Sequence, residues 1–226
     1  MGLFGPSRQE RQAAAAASVA PYGFSLVAPE EERLKLQLAP FVLHSTPSRC
    51  RATAFGRIDA AEVWAFDYDY TGRDSEGNPT TRSQLLIALH HPGIAGGASF
   101  APDARAWGGV GAAIDLLLWV PPFTFVKAFQ LLNEARNPDR VVGDPRFDEL
   151  YVVRAADDAT AQRAIPPRLR ETAVRLGLRG AVELRENLVL YSVEGCSFDG
   201  TGLLTALRYA APLALAAMTD SGQAYR

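Results

Sequence analysis

The chain has 226 residues, 48% of them hydrophobic and 21% charged, and its 25 acids and 23 bases give a net charge of −2. This length supports one substantial core or two small units that share an interface. The composition excludes wholesale disorder and a polytopic membrane protein, and the lack of a cationic excess argues against nucleic-acid binding. Only Lys35 and Lys127 are lysines, a preference for arginine that is typical of a high-GC bacterial genome.

The first twenty residues predict a flexible tail that leads into an alanine-rich helical turn. Charged residues within Met1–Arg11 precede the alanines of Ala13–Ala17, and this apolar run is too short and too weakly hydrophobic for a secretion signal. Gly2 resembles the start of a myristoylation site, but Pro6 occupies the position that requires Ser or Thr. We therefore expect neither a cleaved leader nor a lipid anchor here.

The next segment predicts two short elements. Pro21 and Gly23 interrupt the alanine-rich stretch, and Phe24–Val27 follows as a short apolar strand. Glu30–Leu38 places leucines among charges and fits either a short helix or an alternating strand. A helix is favoured, because the acids after Pro29 would complement the dipole of its first turn.

Residues 21–106 form a predicted β-rich unit. Its three strongest strand signals are Ala52–Ile58, Glu62–Tyr70 and Thr80–His90. A short turn at Asp59–Ala61 and a long polar loop at Gly72–Pro79 separate them. Short connections between consecutive strands predict an antiparallel meander.

The middle strand of this meander alternates in character with the period of a β-strand. One face carries Val63, Ala65, Asp67 and Asp69, and the other carries Trp64, Phe66, Tyr68 and Tyr70. The aromatic face is predicted to be core and the carboxylate face to be solvated. Because Asp67 and Asp69 share a face, acid–base chemistry or cation binding is the alternative interpretation.

The most hydrophobic stretch is Trp107–Leu132, within a predicted helical connector at 107–140. Helical spacing links Val110, Ala113, Ile114, Leu117 and Leu118, and a pair of prolines from Pro121 ends that helix. We expect a buried helical hairpin, with a surface for a partner or the membrane interface as the alternative. Leu116 and Trp119 fall outside the apolar stripe, so they are the candidate interaction residues.

The range 141–220 predicts a compact C-terminal unit with the order β-α-β-β-α. It begins with a predicted strand at Phe147–Arg154, followed by a helix that is capped by Asp157 and runs to about Leu176 with a break at Pro166. A hairpin of Ala181–Arg185 and Leu188–Val193 comes next. A helix at Leu203–Met218, capped by Asp199, ends the unit. The whole chain is therefore predicted to be an α+β protein, with 21–220 forming one globule. It comprises the antiparallel β-meander, the C-terminal unit and the buried apolar helical segment between them.

No pattern of residues predicts a metal, a cofactor or a catalytic set. His90 and His91 are adjacent on a strand, so their side chains point to opposite faces and cannot ligate one ion from that strand alone. The glycines of Gly93–Gly97 and Gly108–Gly111 match neither a phosphate-binding loop nor a dinucleotide fingerprint.

The two cysteines, Cys50 and Cys196, are far apart and belong to no CxxC motif. A structural zinc site needs three or four closely spaced ligands, which the chain does not supply. We expect two free thiols and a cytoplasmic location, with attachment to the inner face of the membrane as the alternative.

The order of several motifs resembles that of a group of uncharacterised, often membrane-anchored proteins of high-GC bacteria. These motifs are Gly56, Phe66–Tyr70, Phe147–Arg154 with Asp157–Ala161, Pro167 with the helix Arg168–Leu176, and the hairpin Leu184–Tyr191. The resemblance extends from about Tyr22 to Met218 and implies no activity and no catalytic residues. The chain departs from that group in its apolar Trp107–Leu132 segment and in lacking an N-terminal transmembrane helix.

These observations favour a non-catalytic interaction or scaffold protein. The expected partner is another protein or a second copy of the chain, with no cofactor and no nucleic acid, and a membrane surface is a less favoured partner. The alternatives are a binder of small ligands and a hydrolase that uses Asp67 and Asp69 or the corner at His90 and His91.

Overall fold

The computed structural model describes residues 8–27, 48–59, 61–73, 78–103, 139–198 and 201–218. Within these ranges the chain forms a nine-stranded sheet in which every pairing is antiparallel. The strands are β1 Ser25–Val27, β2 Ser48–Ile58, β3 Ala61–Arg73, β4 Pro79–His90, β5 Ala98–Pro102, β6 Asp139–Arg140, β7 Tyr151–Ala155, β8 Ala181–Arg185 and β9 Leu188–Glu194. Their order across the sheet is β1-β2-β3-β4-β9-β8-β5-β7-β6.

The described helices pack on one face of this sheet. They are α1 Arg8–Val19, α2 Pro145–Leu150, α3 Asp158–Ala164, α4 Pro167–Leu176 and α5 Gly202–Ala217, with a 3₁₀ turn at Ala20–Tyr22. Their buried apolar side chains join one large cluster with side chains from the strands. We call the sheet surface under this cluster the helical face; in β3 it carries Val63 and Ala65, and in β4 it carries Leu85 and Ile87. The predicted α+β class is confirmed.

The predicted meander is also confirmed. β2, β3 and β4 pair in consecutive antiparallel order, with Ala65 of β3 opposite both Ala54 and Ile87. Asp59 makes the tight turn between β2 and β3 with a φ of 50°, a conformation that Asp and Asn tolerate better than most residues.

The pairing of β4 with β9 fuses the meander and the C-terminal unit into one sheet. It runs from Gln84 opposite Glu194 to His90 opposite Leu188. Strand β5, which sequence analysis did not predict, lies between β8 and β7: Ser99 faces Glu183 on one side and Arg154 on the other. The C-terminal part of the sheet is therefore completed by a strand from the first half of the chain.

The N-terminal segment is partly ordered against the core. Within the range 1–20, assigned by sequence to a flexible tail, α1 forms and buries Ala15 and Val19. Phe24 then lies over Gly56 of β2, where a Cβ atom would come within 2.9 Å of its ring. A glycine at position 56 is what allows this close packing.

One predicted strand begins later than expected. Phe147–Leu150 belongs to α2, and only Tyr151–Ala155 is strand. Asp144 caps α2 by accepting hydrogen bonds from the backbone N–H groups of Arg146 and Phe147, and a proline follows at the first helical position. This local start signal outweighs the apolar pattern that had suggested an extended strand.

The remaining C-terminal elements follow the prediction. Asp157 caps α3, the chain restarts as α4 at Pro167, and Gly177 ends α4 with a φ of 55°. Asn187, with a φ of 64°, forms the turn of the β8–β9 hairpin. Helix α5 is found as predicted, although Thr201 rather than Asp199 is at its N-cap position.

Three predictions fall outside the described residues. They concern the helix or strand at Glu30–Leu38, the tip of the loop at Gly72–Pro79, and the apolar helical connector at 107–140, of which only the last two residues are described. Those two residues, Asp139 and Arg140, form strand β6 and not a helix, because they pair with β7. The candidate interaction residues Leu116 and Trp119 lie in that connector, so they stay predictions.

The buried hydroxyl of Tyr151 holds the end of α4 against β7. It donates a hydrogen bond to the Ala173 carbonyl oxygen at 2.9 Å and accepts one from the Leu178 N–H at 3.1 Å. Burial raises the pKa of Tyr151 above its ordinary value, so the neutral hydroxyl persists throughout the physiological range. The hydroxyl thus adds a second hydrogen bond to each of two backbone groups at a helix terminus, which also bond to each other at 3.2 Å.

We predict that Tyr151→Phe lowers the free energy of unfolding by about 1–3 kcal/mol, because it removes two buried hydrogen bonds, although the Leu178 N–H still donates to the Ala173 carbonyl oxygen. Urea denaturation measures the change. Tyr209→Phe in α5 is the matched control and is expected to stay within about 0.5 kcal/mol of the wild type. Equal losses in the two variants would contradict the role assigned to the Tyr151 hydroxyl.

Candidate binding face of the sheet

Both faces of the central strands are buried. The predicted alternation of β3 is confirmed, since Val63 and Ala65 point to the helical face and Phe66 and Tyr68 point to the other. The expectation that the carboxylate face is solvated is wrong: Asp67 lies on the helical face and is 5% exposed. The helices cover the side of β3 that the sequence had assigned to solvent.

Two donors from distant parts of the chain occupy the Asp67 carboxylate. Its Oδ1 accepts from the Arg51 guanidinium, at 3.2 Å from Nε and 2.5 Å from Nη2. Its Oδ2 accepts from the backbone N–H of Phe198 at 3.1 Å, across 131 positions of sequence. Arg51 is the extra residue of a bulge in β2 between Cys50 and Ala52, a distortion that re-aims a side chain.

This arrangement makes Asp67 a structural anion and a poor catalytic base. Each oxygen already accepts a hydrogen bond, and a general base needs an oxygen within reach of a substrate proton. Asp69, two residues along, is more exposed and lies 3.3 Å from Arg51 Nε, while Ser83 Oγ lies 3.4 Å from its Oδ1. One guanidinium therefore compensates both carboxylates that sequence analysis had offered for chemistry.

The histidine corner is remote from these carboxylates. His90 pairs with Glu62 at one end of the β3–β4 ladder, whereas Asp67 pairs with Leu85. Five residues of strand separate the two places, or about 17 Å. His91 accepts a hydrogen bond at Nδ1 from the Gly93 N–H at 3.0 Å, as expected of a histidine that shapes a turn. The carboxylates and the histidine corner, which are alternative sites in the hydrolase hypothesis, therefore lie in different parts of the sheet.

The two cysteines form no disulfide and lie in different environments. Cys50 lies 3.4 Å from the Ala52 carbonyl oxygen and 3.5 Å from the Thr53 hydroxyl. Cys196 packs at the edge of the large core cluster, and this burial raises its pKa. A raised pKa disfavours the thiolate, so Cys196 is not poised as a nucleophile.

The face opposite the helices is formed by a ladder of aromatic rings on β2 and β3, and we call it the aromatic face. Phe55 and Trp64 have ring centroids 4.8 Å apart, and the steps from Trp64 to Phe66 and from Phe66 to Tyr68 are each 6.4 Å. Apolar side chains of β4, β9, β8 and β5 continue the layer at Leu86, Ala88, Leu188, Leu190, Ala181 and Ala101. Every member of this cluster comes from a strand.

Buried polar groups concentrate on the aromatic face. Of the seven buried polar or charged residues described, five belong to it by register: Thr53, Gln84, Ser99, Arg154 and Ser192. Burying polar groups is costly unless they have partners, so their collection on one face is informative. An apolar layer that holds a few polar groups is the usual composition of a ligand site.

The charged side chains described on this face form pairs. Arg154, which is buried, forms an ion pair with Asp139. Glu183 and Arg185, two residues apart on β8, approach to 2.5 Å. The cross-strand row of Asp139, Arg154, Ser99 and Glu183 leads directly into Leu190 and Ala88. The face is therefore charge-balanced and polar on one half, and aromatic on the other.

Gln84 differs from these paired groups. It is fully buried, and neither its Oε1 nor its Nε2 has a hydrogen-bond partner. It lies on β4, opposite Tyr68 of β3 and two residues before Leu86. Sequence analysis missed it, although one amide at the start of the apolar run Leu85–Leu89 was a visible signal. An unpaired buried carboxamide is unusual in a native core and needs an explanation.

The described residues contain no group of three or more His, Cys, Asp or Glu side chains arranged to hold a metal ion. In the same ranges, no helix is both long enough and apolar enough to span a membrane. Comparison of the chain with protein-family models, curated proteins and solved structures finds no match. The function is therefore inferred from the chemistry of the side chains on the two faces of the sheet.

We predict that Asp67→Asn lowers the free energy of unfolding by about 2–4 kcal/mol, because it removes the charge that pairs with Arg51 in a buried site. Thermal and urea unfolding measure the loss. Asp69→Asn, at a more exposed position, should cost less than about 1 kcal/mol, whereas Phe66→Ala should cost about 3–5 kcal/mol. A neutral Asp67→Asn would contradict the burial of this carboxylate.

We predict that Cys196 is alkylated by iodoacetamide at pH 8 much more slowly in the folded protein than in urea. Because burial raises its pKa above 9.0, the stability that comes from keeping this thiol protonated is complete below pH 9 and is lost as pH rises through the folded pKa. Mass spectrometry of the labelled peptide gives the rate, and Cys196→Ala should weaken the alkaline loss of stability. Equal labelling rates in the folded and unfolded states would exclude the burial effect.

Proposed function

We propose that this chain is a non-catalytic binding protein. The main support is the concentration of buried polar groups on the aromatic face. In addition, hydrogen bonds from Arg51 and from the Phe198 N–H hold the Asp67 carboxylate in a structural role. The side chains that the sequence had offered for acid–base chemistry, Asp67, Asp69 and the two histidines, are either paired or widely separated. The features that remain are those of recognition: aromatic surface, balanced ion pairs and an unpaired amide.

Another protein, or a second copy of this chain, is the proposed partner. The sequence supports this through Trp107–Leu132, because a segment this apolar must be covered by the chain itself or by another molecule. Leu116 and Trp119 lie off the main apolar stripe of that segment. If the stripe packs against the rest of the chain, these two side chains would stay available to contact a partner. Tryptophan is also among the residues that most often dominate interface energetics.

A small-ligand binder is the second candidate, and the aromatic face favours it. Phe66, Leu86 and Leu190 supply apolar surface, and Gln84 and Ser192 supply polar groups within two residues of them along their strands. Small-molecule sites combine a mainly apolar lining with a few placed polar groups in this way. The two candidates use different parts of the chain and can be tested separately.

We predict that the double variant Leu116→Ser, Trp119→Ser keeps its fold and loses self-association or a partner complex. Circular dichroism reports the fold, and light scattering coupled to size-exclusion chromatography reports the mass. Leu215→Ser is the matched control, because Leu215 is an exposed leucine of α5 that the proposal does not use; its mass should equal that of the wild type. Unfolding of the double variant would show that the segment is core and would remove the support for a protein partner.

A further inference from the structure

We propose that the outer surface of helices α4 and α5 contacts a membrane that carries anionic phospholipids. This outer surface comprises the exposed side chains Arg168, Glu171 and Arg175 of α4 and Arg208 and Leu215 of α5. The inference goes beyond the proposed function, because neither candidate function uses these residues. The juxtaposition that carries it is an exposed leucine and three arginines on the outward sides of two helices that pack against each other.

The first argument is the composition of α5. Arg208 is the single charged residue among its 16 residues. Leu204, Arg208, Ala211 and Leu215 recur at helical spacing and are half-buried or exposed, whereas the rest of the core-facing side is buried. Leu215 is 38% exposed. The outward side of a helix in a globular protein is usually polar, so this stripe is unusual in being apolar apart from one arginine.

The second argument is the set of guanidinium groups on the same outer surface. Arg168 and Arg175 are seven positions apart on α4 and point away from its buried side chain Leu169. Among the described contacts, no ion pair or side-chain hydrogen bond involves Arg168, Arg175 or Arg208. Glu171 is the single acid of the two helices, both of which are described in full. These three arginines are therefore available to anionic groups outside the protein.

The third argument is the distribution of charge over the chain. Helix α4 carries three arginines and one glutamate, and α5 carries one arginine, so the two helices together have a net charge of +3. The whole chain has a net charge of −2, which leaves −5 for all other residues, since −2 minus +3 is −5. An anionic surface would attract this side of the molecule and repel the rest. Two copies that met through this surface would oppose like charges, which disfavours a second copy as the occupant.

The fourth argument distinguishes a bilayer from an acidic protein. The exposed positions of α4 and α5 include no aromatic residue, whereas protein interfaces are commonly anchored by Trp or Tyr in a well-packed pocket. A bilayer needs no pocket: arginine heads stay among the phosphate groups while a leucine enters the boundary of the acyl chains. Each arginine near an anionic bilayer increases partitioning by about fivefold. Three arginines and one leucine therefore predict reversible, peripheral binding.

The test is sedimentation of the full chain with lipid vesicles. One set of vesicles is phosphatidylcholine alone, and the other is an equal mixture of phosphatidylcholine and phosphatidylglycerol. We expect at least about tenfold stronger binding to the mixture. Binding to the mixture should be lost as salt is raised from about 0.1 M to about 1 M, because the screening length falls from about 10 Å to about 3 Å.

Arginine variants locate the charged contact. Arg208→Gln should weaken binding to the mixed vesicles by about fivefold, and the triple variant Arg168→Gln, Arg175→Gln, Arg208→Gln by about 100-fold. Arg57→Gln is the matched control, because it removes the same charge from an exposed position of β2, whose register with Glu62 places it on the aromatic face. Its binding should stay within about twofold of the wild type, since a charge far from the bilayer is screened.

A leucine variant tests the apolar contact. Leu215→Ser should weaken binding to the mixed vesicles by about threefold or more, because it removes apolar area from the buried contact. Val141→Ser is its matched control: Val141 is 57% exposed and follows β6, so its variant should bind within about twofold of the wild type. If serine lowers the melting temperature, Leu215→Gln replaces it, because glutamine is a good helix former.

The outcomes separate this inference from the proposed function. Binding to the mixed vesicles that falls in the Arg208 and Leu215 variants, but not in the Arg57 and Val141 variants, supports the membrane contact. No binding to the mixture, equal binding to both kinds of vesicle, or equal losses in the control variants overturns it. Wild-type protein that ignores vesicles but loses a protein complex through Arg208→Gln would assign the surface to an acidic protein and also overturn it. None of these results bears on Leu116 and Trp119, whose variant tests the protein partner separately.

Discussion

The antiparallel pairing of β4 with β9 is the contact on which the rest of the structure depends. It joins strands from the two halves of the chain, from Gln84 opposite Glu194 to His90 opposite Leu188. The hydrogen bond from the Phe198 N–H to the Asp67 carboxylate ties the chain just beyond β9 to β3. Because a buried carboxylate needs its donors in place, this bond fixes where the chain leaves the sheet for α5.

Local patterns were sufficient to predict most of the fold. The alternation of β3, the β8–β9 hairpin and the end of α4 near Leu176 each depend on a few neighbouring residues. The environment of Asp67 was not predictable in this way, because its partners are a bulge residue, Arg51, and a backbone N–H 131 positions away. Strand β5 was missed because a five-residue strand carries a weak signal, and its place between β8 and β7 is a tertiary property.

The candidate site was predictable only in part. The aromatic alternation from Trp64 to Tyr68 marked one packed face of the meander, which the structure confirms. The polar half of the aromatic face could not be predicted from the sequence. Ser99, Glu183 and Arg154 become neighbours only because β5 lies between β8 and β7. A single sheet thus presents an aliphatic layer to the helices and a mixed aromatic and polar layer to its other side. Both layers are buried and contribute to stability, and we propose the second as the place of specific recognition.

Strand β9 is synthesised long after its partner β4, and this order has a consequence for folding during translation. Translation proceeds from the N-terminus, so the meander leaves the ribosome while the partner of β4 is still unmade. During that interval one hydrogen-bonding edge of β4 is unsatisfied, and side chains such as Leu85, Ile87 and Leu89, all nearly inaccessible in the finished protein, remain open to solvent. Unpaired edges of this kind attract other extended chains. Nascent polypeptides of this protein should therefore depend on holding chaperones until the C-terminal hairpin emerges.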